Sequence, residues 1–452
     1  MATTLNSNPS ETADLDLATI AIPENMRSGR NSLTMAWWGV CSALFYIFLA
    51  ATLAMAFGPV NTIIGMVLSV ICYGLINGVL TRYAIRTGLS VSLFSRILFG
   101  RAGALLATLI FFLTAIYYAV FEGSIIAVAA TKVMPNLFYT LACVIVVAYS
   151  VPLVFGSVQH WLDKLNGVLL PFYIIGILLA VGMTIHTYGY SNDWLSFTPK
   201  GGAPANGWLS VFIAYMGVWV LMMYTFDFAR FGAKEDADFH AKISFGMPFY
   251  IMTFLINGLI GIFLITSGKL ESVSETGVVD QLLLVLGGFL ALLFILITQT
   301  RINSANFYLA TINMQAFFEK LLGIRLKKWM WAVLVGLVVL AMMASTDVFH
   351  YLLTALNYQG IFVTAWVGVA LTHILSKRYD DLFYGELPYH MNQVPNFNPA
   401  GLSAWFAGAA AGLFCTLSGV AAAYSPMITF VVSVAVYYLM LQQARREWFA
   451  TV

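Results

Sequence analysis

Apolar runs of roughly twenty residues follow one another along almost the whole chain, separated by short polar loops. A run of that length is what an α-helix needs to cross the ~30 Å hydrocarbon core of a bilayer. Inside that core every backbone N–H and C=O must find a partner within the protein, so only helices and closed barrels can span it. The runs are continuous rather than alternating, which argues against a barrel and predicts a helical bundle. Charged residues are only 9% of the 452, against roughly 25% in soluble domains, and this excludes an ordinary water-soluble globule.

The runs place about twelve spans, near residues 34–57, 60–82, 103–131, 136–156, 165–186, 207–226, 243–267, 280–306, 329–346, 348–374, 402–423 and 425–443. Lys and Arg alternate with them. One side carries Arg27 and Arg30, then Arg82, Arg86, Arg96 and Arg101, then Lys164, then Arg230, Lys234 and Lys242, then Lys320, Arg325, Lys327 and Lys328, then Lys377 and Arg378, then Arg445 and Arg446. The other side has only Lys132, Lys200 and Lys269. Cytoplasmic loops are enriched in these residues, so an even number of spans is expected in the plasma (inner) membrane with both termini cytoplasmic. Trp37, Trp38, Trp329, Trp331, Tyr437 and Tyr438 are expected as interfacial anchors.

The domain reading is a disordered cytoplasmic tail over 1–30, a membrane domain over 31–446 and a cytoplasmic C-terminus over 447–452. Residues 90–100 mix polar and apolar side chains and are expected as a short helix lying at the interface. The net charge of +2 hides no basic patch with interleaved aromatics, so nucleic acid is not an expected partner. Cys41, Cys72, Cys143 and Cys415 each fall in an apolar run, with no metal-ligand spacing and no expected disulfide. No nucleophile elbow, phosphate-cradling loop or paired-histidine motif is present, so neither an enzyme nor a cofactor is expected. His350 and His373 are lone and read as structural or interfacial.

Two charged residues stand inside apolar spans. Arg301 follows the run Leu282 to Ile297 and opens a polar stretch with Thr300, Asn303, Ser304 and Asn306. Glu122 lies deep in the third span, four residues after Tyr118 and so on the same helix face. Ionisable groups inside a membrane are energetically costly and mark solute pathways. An aromatic ring stacks a planar heterocycle while a carboxylate accepts its N–H groups. Each residue also has a plain reading: Glu122 as a protonated acid satisfied by a neighbouring helix, Arg301 as a side chain snorkelling to the surface. If Asp280 marks the outer end of one continuous helix, Arg301 is roughly 31 Å further in, near the cytoplasmic boundary. Asn357, Tyr358 and Gln359 form a further polar break in the tenth span. Gly39 with Ser42 in the first span and Gly217 in the sixth are candidate helix breaks, where transporters bind.

Several short stretches carry a resemblance. They are Gly88-Leu89-Ser90, Ser95-Arg96 and Phe99-Gly100, then Trp219 and Asp227-Phe228-Ala229-Arg230-Phe231. Asn303 and Asn306-Phe307-Tyr308 follow, and then Phe397-Asn398, Gly401-Leu402 and Trp405. In this order and placement the chain resembles the nucleobase:cation symporter-1 family, on its purine–cytosine permease side, over nearly its whole length. The resemblance implies a five-plus-five inverted repeat with two extra helices and alternating access around a midplane site. It implies Trp219 and Tyr117 or Tyr118 as stacking rings, and Glu122 and Asn306 as hydrogen-bonding groups. Phe45 and Tyr46 would close the side of the first span.

One departure stands out. Sodium-coupled members set hydroxyl side chains of the eighth span against the first to ligate the ion. Here Thr300 remains, but Arg301 takes the neighbouring position. Sodium needs oxygen ligands, and a guanidinium offers five donors and no acceptor. The expectation is a secondary importer of a nucleobase or related heterocycle, cytosine or a purine foremost. It would be coupled to protons rather than sodium, with Arg301, Thr300, Asn303 and Glu122 as coupling residues. A sodium-coupled carrier of allantoin, hydroxymethylpyrimidine or thiamine-like substrates is the alternative. A receptor or channel on the same scaffold is a third reading.

Overall fold

The computed structural model of the protein describes residues 21–155, 157–267, 276–345, 347–376 and 394–450, apart from the side chains of 157–169. Lys164, Lys269, Lys377 and Arg378 of the orientation reading fall outside that description. Regular structure among the described residues is helical throughout, with one isolated bridge between Ser28 and Gly232.

The first expected span is two helices, α1 (Arg30–Trp38) and α2 (Phe45–Phe57), bent by 43° across a 3-10 turn at Gly39–Ser42. There follow α3 (Pro59–Thr87), α4 (Val91–Gly103), α5 (Leu105–Val133), α6 (Tyr139–Ser150) and α7 (Ser157–Tyr188). The sixth expected span is again two helices, α8 (Gly207–Met216) and α9 (Val220–Ala229), also bent by 43°. After these come α10 (Lys234–Ser267), α11 (Gly277–Leu286), α12 (Gly288–Leu322), α13 (Lys328–Ser345), α14 (Leu352–Ser376), α15 (Pro399–Ser418) and α16 (Ser425–Gln442).

Nine helices among the described residues are long and apolar enough to cross a membrane, or eleven if each bent pair is one span. The expected fourth span is α6, whose 12 residues reach only about 18 Å by helical rise. α12 lies along α5 in the most extensive helix pairing of the bundle. Each broken span packs on the second helix of the other half: α2 on α10, and α8 on α3. This exchange between the first and sixth spans is the contact pattern of a five-plus-five repeat.

Four expectations change. The expected eighth span is not one helix. Gly287 at φ 81° turns the chain between α11 and α12, a conformation that only glycine adopts readily. Asp280 sits on the separate α11, paired with Lys132, so it does not mark the start of the helix that bears Arg301. Arg301 lies thirteen residues from the start of α12, about 20 Å, and not at its far end. The expected tail of 1–30 lies outside the described residues up to residue 20, and of its last ten residues Pro23 to Met26, Gly29 and Arg30 are exposed. Ile22 is buried, and Arg27 Nη1 donates to the carbonyls of Ile85 at 2.7 Å and Gly232 at 2.6 Å.

The stretch 90–100 is helical, as α4, but is buried in the bundle rather than lying at an interface. The residues of the family resemblance fasten it there. Ser90 Oγ accepts from Leu93 N, Asp227 Oδ1 accepts from Val91 N at 2.7 Å, and Trp366 Nε1 donates to Ser95 Oγ at 2.9 Å. Asn398 Nδ2 donates to Ile97 O at 3.0 Å. The expected anchors divide as well: Trp329 and Tyr438 are exposed, but Trp37, Trp331 and Tyr437 are buried. Trp37 packs against the rings of Phe228, Phe245 and Phe249, and Tyr437 hydroxyl meets His373 Nδ1 at 2.9 Å.

Candidate functional site

A break in a membrane helix frees backbone groups that no water is there to satisfy, so side chains must do it. At the α1–α2 break the partners come from three other helices, with a fourth behind them. Arg301 Nη1 of α12 donates to the Gly39 carbonyl at 2.5 Å and to Ser42 Oγ at 3.2 Å. Asn257 Nδ2 of α10 donates to the Cys41 carbonyl at 2.8 Å, and Tyr173 of α7 holds that amide from behind at 2.9 Å. Gln299 Oε1 of α12 accepts from Leu44 N at 3.4 Å. The carboxyl of Glu122 on α5 lies against the Phe45 backbone N–H.

The two ionisable groups are therefore sorted by helix polarity. The guanidinium sits at the carbonyl end of α1 and the carboxyl at the N–H end of α2, the ends whose partial charges attract each sign. The close approach depends on Gly39, where a Cβ would overlap the Arg301 guanidinium. Glu122 is 1% exposed. Its Oε2 is buried without a partner, and no ion pair joins it to Arg301.

The α8–α9 break is satisfied by neutral groups. Gln359 Nε2 of α14 donates to the Gly217 carbonyl at 2.8 Å, and Tyr73 hydroxyl of α3 donates to Tyr215 O at 2.9 Å. Gln359 also donates to Tyr118 hydroxyl at 3.2 Å, and the Tyr118 ring stands edge-on to Phe45 at 5.0 Å. Tyr118 thus connects the two breaks, one helical turn from Glu122.

Of the expected site residues, the structure brings Phe45, Tyr118, Glu122 and Arg301 together around the first break. Tyr46 follows Phe45 and tilts onto Phe254 at 5.8 Å. Tyr117 is half-buried, with its ring against Tyr118 at 5.3 Å and its hydroxyl unpaired. Asn303 and Asn306 are buried in α12, the helix that lies along α5. Both side-chain atoms of Asn303 and the Nδ2 of Asn306 have no partner.

Two expected residues stand apart. Trp219 caps α9 beside the second break, but its ring packs on Phe430 at 5.2 Å and Tyr73 at 6.3 Å rather than on Tyr117 or Tyr118. Thr300 turns to Tyr149 of α6 at 2.9 Å, so its hydroxyl does not reach the first break. Sequence reasoning misses Asn257 and Tyr73. The available signal is a lone amide or hydroxyl in an otherwise apolar span.

No cluster of His, Cys, Asp or Glu suited to a metal ion occurs among the described residues. No family model and no curated protein matches the chain. Solved structures do. Mhp1 in an inward-facing conformation superimposes with a TM-score of 0.74 at 15% identity, over 98% of this chain and 95% of that one. The chain has the fold of Mhp1. A closed form of Mhp1, described as a nucleobase-cation-symport-1 family transporter with bromovinylhydantoin bound, gives 0.67 at 16% identity over 96% and 94%. A Na+-coupled sialic acid symporter gives 0.61 at 13% identity over 96% and 95%. A manganese transporter of Eremococcus coleocola gives 0.52 at 15% identity over 95% and 98%. The cargoes named for these neighbours differ widely, so the likeness is one of fold and does not dictate what is carried.

Proposed function

We propose that this chain is a secondary transporter of the nucleobase:cation symporter-1 kind, importing a planar nitrogen heterocycle by alternating access. The observation that carries the reading is the set of buried polar atoms without partners on the facing helices α5 and α12: Glu122 Oε2, Asn306 Nδ2, both atoms of the Asn303 amide and Tyr117 hydroxyl. Buried groups of this kind are nearly always satisfied in a folded protein. Unsatisfied donors and acceptors on two helices packed along each other, one carrying Tyr118 and the other the Arg301 that closes the first break, suit a flat ligand with both N–H and carbonyl edges. Glu122 as acceptor favours an N–H-rich substrate such as cytosine or adenine over uracil.

Coupling follows from Arg301. Its guanidinium occupies the carbonyl end of α1, where sodium-coupled relatives of the resemblance would ligate their ion. A fixed cation there leaves no oxygen cage for sodium. Glu122, buried and unpaired at one oxygen, is the proton carrier of this reading. The test is uptake of labelled cytosine, adenine, hydantoins and uracil into proteoliposomes of the purified protein under an imposed proton gradient. Accumulation above the outside concentration, collapsed by a protonophore, is the expected result. Equilibration without accumulation would point to a channel, and binding without uptake to a receptor.

A further inference from the structure

The mechanism above leaves one cluster of charge unused. Arg96 and Arg101 of α4 meet Lys320, in the last turn of α12. Lys320 Nζ donates to the Arg101 carbonyl at 2.5 Å, and its charge is close enough to interact with both guanidinium groups. Arg96 Nε is buried without a hydrogen-bond partner, whereas Arg101 and Lys320 are exposed. No ion pair among the described residues involves any of the three. Glu319, the acid adjacent to Lys320, turns instead to Arg325 at 3.4 Å. Burial, with Arg101 adding to it, pushes Arg96 below the usual arginine range.

Three like charges held together, one with an orphan donor, call for an anion with several acceptor oxygens. The planar fork of a guanidinium matches a phosphoryl group in particular. Beyond Lys320 the chain exposes Leu321 and Leu322, at 54% and 60%, so the rim of the cluster is apolar on one side and cationic on the other.

We propose that Arg96, Arg101 and Lys320 form a phosphoryl-anion site at the end of α4 and α12. The shared chemistry is a phosphate oxygen set, supplied by an anionic phospholipid headgroup or by free phosphate. The site shares no residue with the candidate substrate site and does not depend on what the protein transports.

The experiment is thermal unfolding of the full-length protein in detergent, with phosphatidylglycerol, phosphatidylcholine or inorganic phosphate added at equal concentration. Phosphatidylglycerol is expected to raise the midpoint and phosphatidylcholine to leave it unchanged. Lys320→Gln and Arg101→Gln are each expected to weaken the apparent affinity about fivefold, corresponding to ~1 kcal/mol per basic residue near anionic lipid. An equal gain from inorganic phosphate identifies the free ion as the source. No gain from either anion, an equal gain from phosphatidylcholine, or a gain undiminished in both variants would overturn the proposal. Arg96→Gln probes the buried member, and if it fails to fold, the two exposed variants decide the matter alone.

Discussion

The two broken helices are bent by the same 43° and occupy equivalent places in the two halves, yet they are held in different ways. The α8–α9 break is closed by an amide and a phenol, both neutral. At the α1–α2 break a guanidinium and a carboxyl join two further amides. Hydrogen bonds to charged groups are worth about 1.5–3 kcal/mol, and neutral ones about 0.5–1.5. On the function proposed above, the neutral break serves as scaffolding and the charged one serves coupling. On that reading, the guanidinium at the carbonyl end of α1 is the feature that would separate this chain from a sodium carrier.

The comparison can be broken most severely at Arg301. Arg301→Gln leaves a donor but removes the charge. Uptake is expected to fall at least about tenfold, with a loss of stability of about 2 kcal/mol, the range of a charge-assisted bond. Thermal unfolding read alongside initial rates checks it. Gly39→Ala should mimic this loss with Arg301 itself unchanged, because the added methyl displaces the guanidinium.

Glu122→Gln comes next. The amide oxygen can still accept from Phe45 N–H, so folding is expected to survive, and a near-wild-type melting midpoint would confirm that. Wild-type uptake should fall as external pH rises and the driving proton becomes scarce, whereas the variant should show a flat and lower pH profile. A variant profile as steep as wild type would remove Glu122 from coupling.

At the neutral break, Gln359→Ala removes bonds to Gly217 O and Tyr118 hydroxyl. A loss near 1 kcal/mol is expected, with unchanged ion dependence. The smallest effect belongs to Thr300→Ala. That hydroxyl pairs with Tyr149, so uptake should change less than about threefold, in keeping with one neutral hydrogen bond.

How far the sequence could lead depended on the kind of information each feature carries. Span length and loop charge report on a helical bundle directly, because the bilayer imposes both. Glu122 and Arg301 could be singled out because a charge in an apolar run has few uses. Their placement at opposite ends of one helix break could not be read, because it depends on which helices pack on α1 and α2. The turn at Gly287 was illegible for a related reason: a glycine in an apolar run reads the same whether it kinks the chain or packs closely. It reset the depth of Arg301. Trp37 and Tyr437 look like interfacial anchors by position, but only the fold shows that both face inward. Asn257 reads as one amide among many until Cys41 O is found opposite it.

The claim on which all of this depends is that the guanidinium of Arg301 serves in place of a transported cation. Initial uptake into proteoliposomes should be measured with sodium and then with potassium as the only alkali ion, at constant membrane potential and pH. The account predicts equal rates in the two salts for wild type. A wild-type rate that rises with sodium and saturates would contradict it.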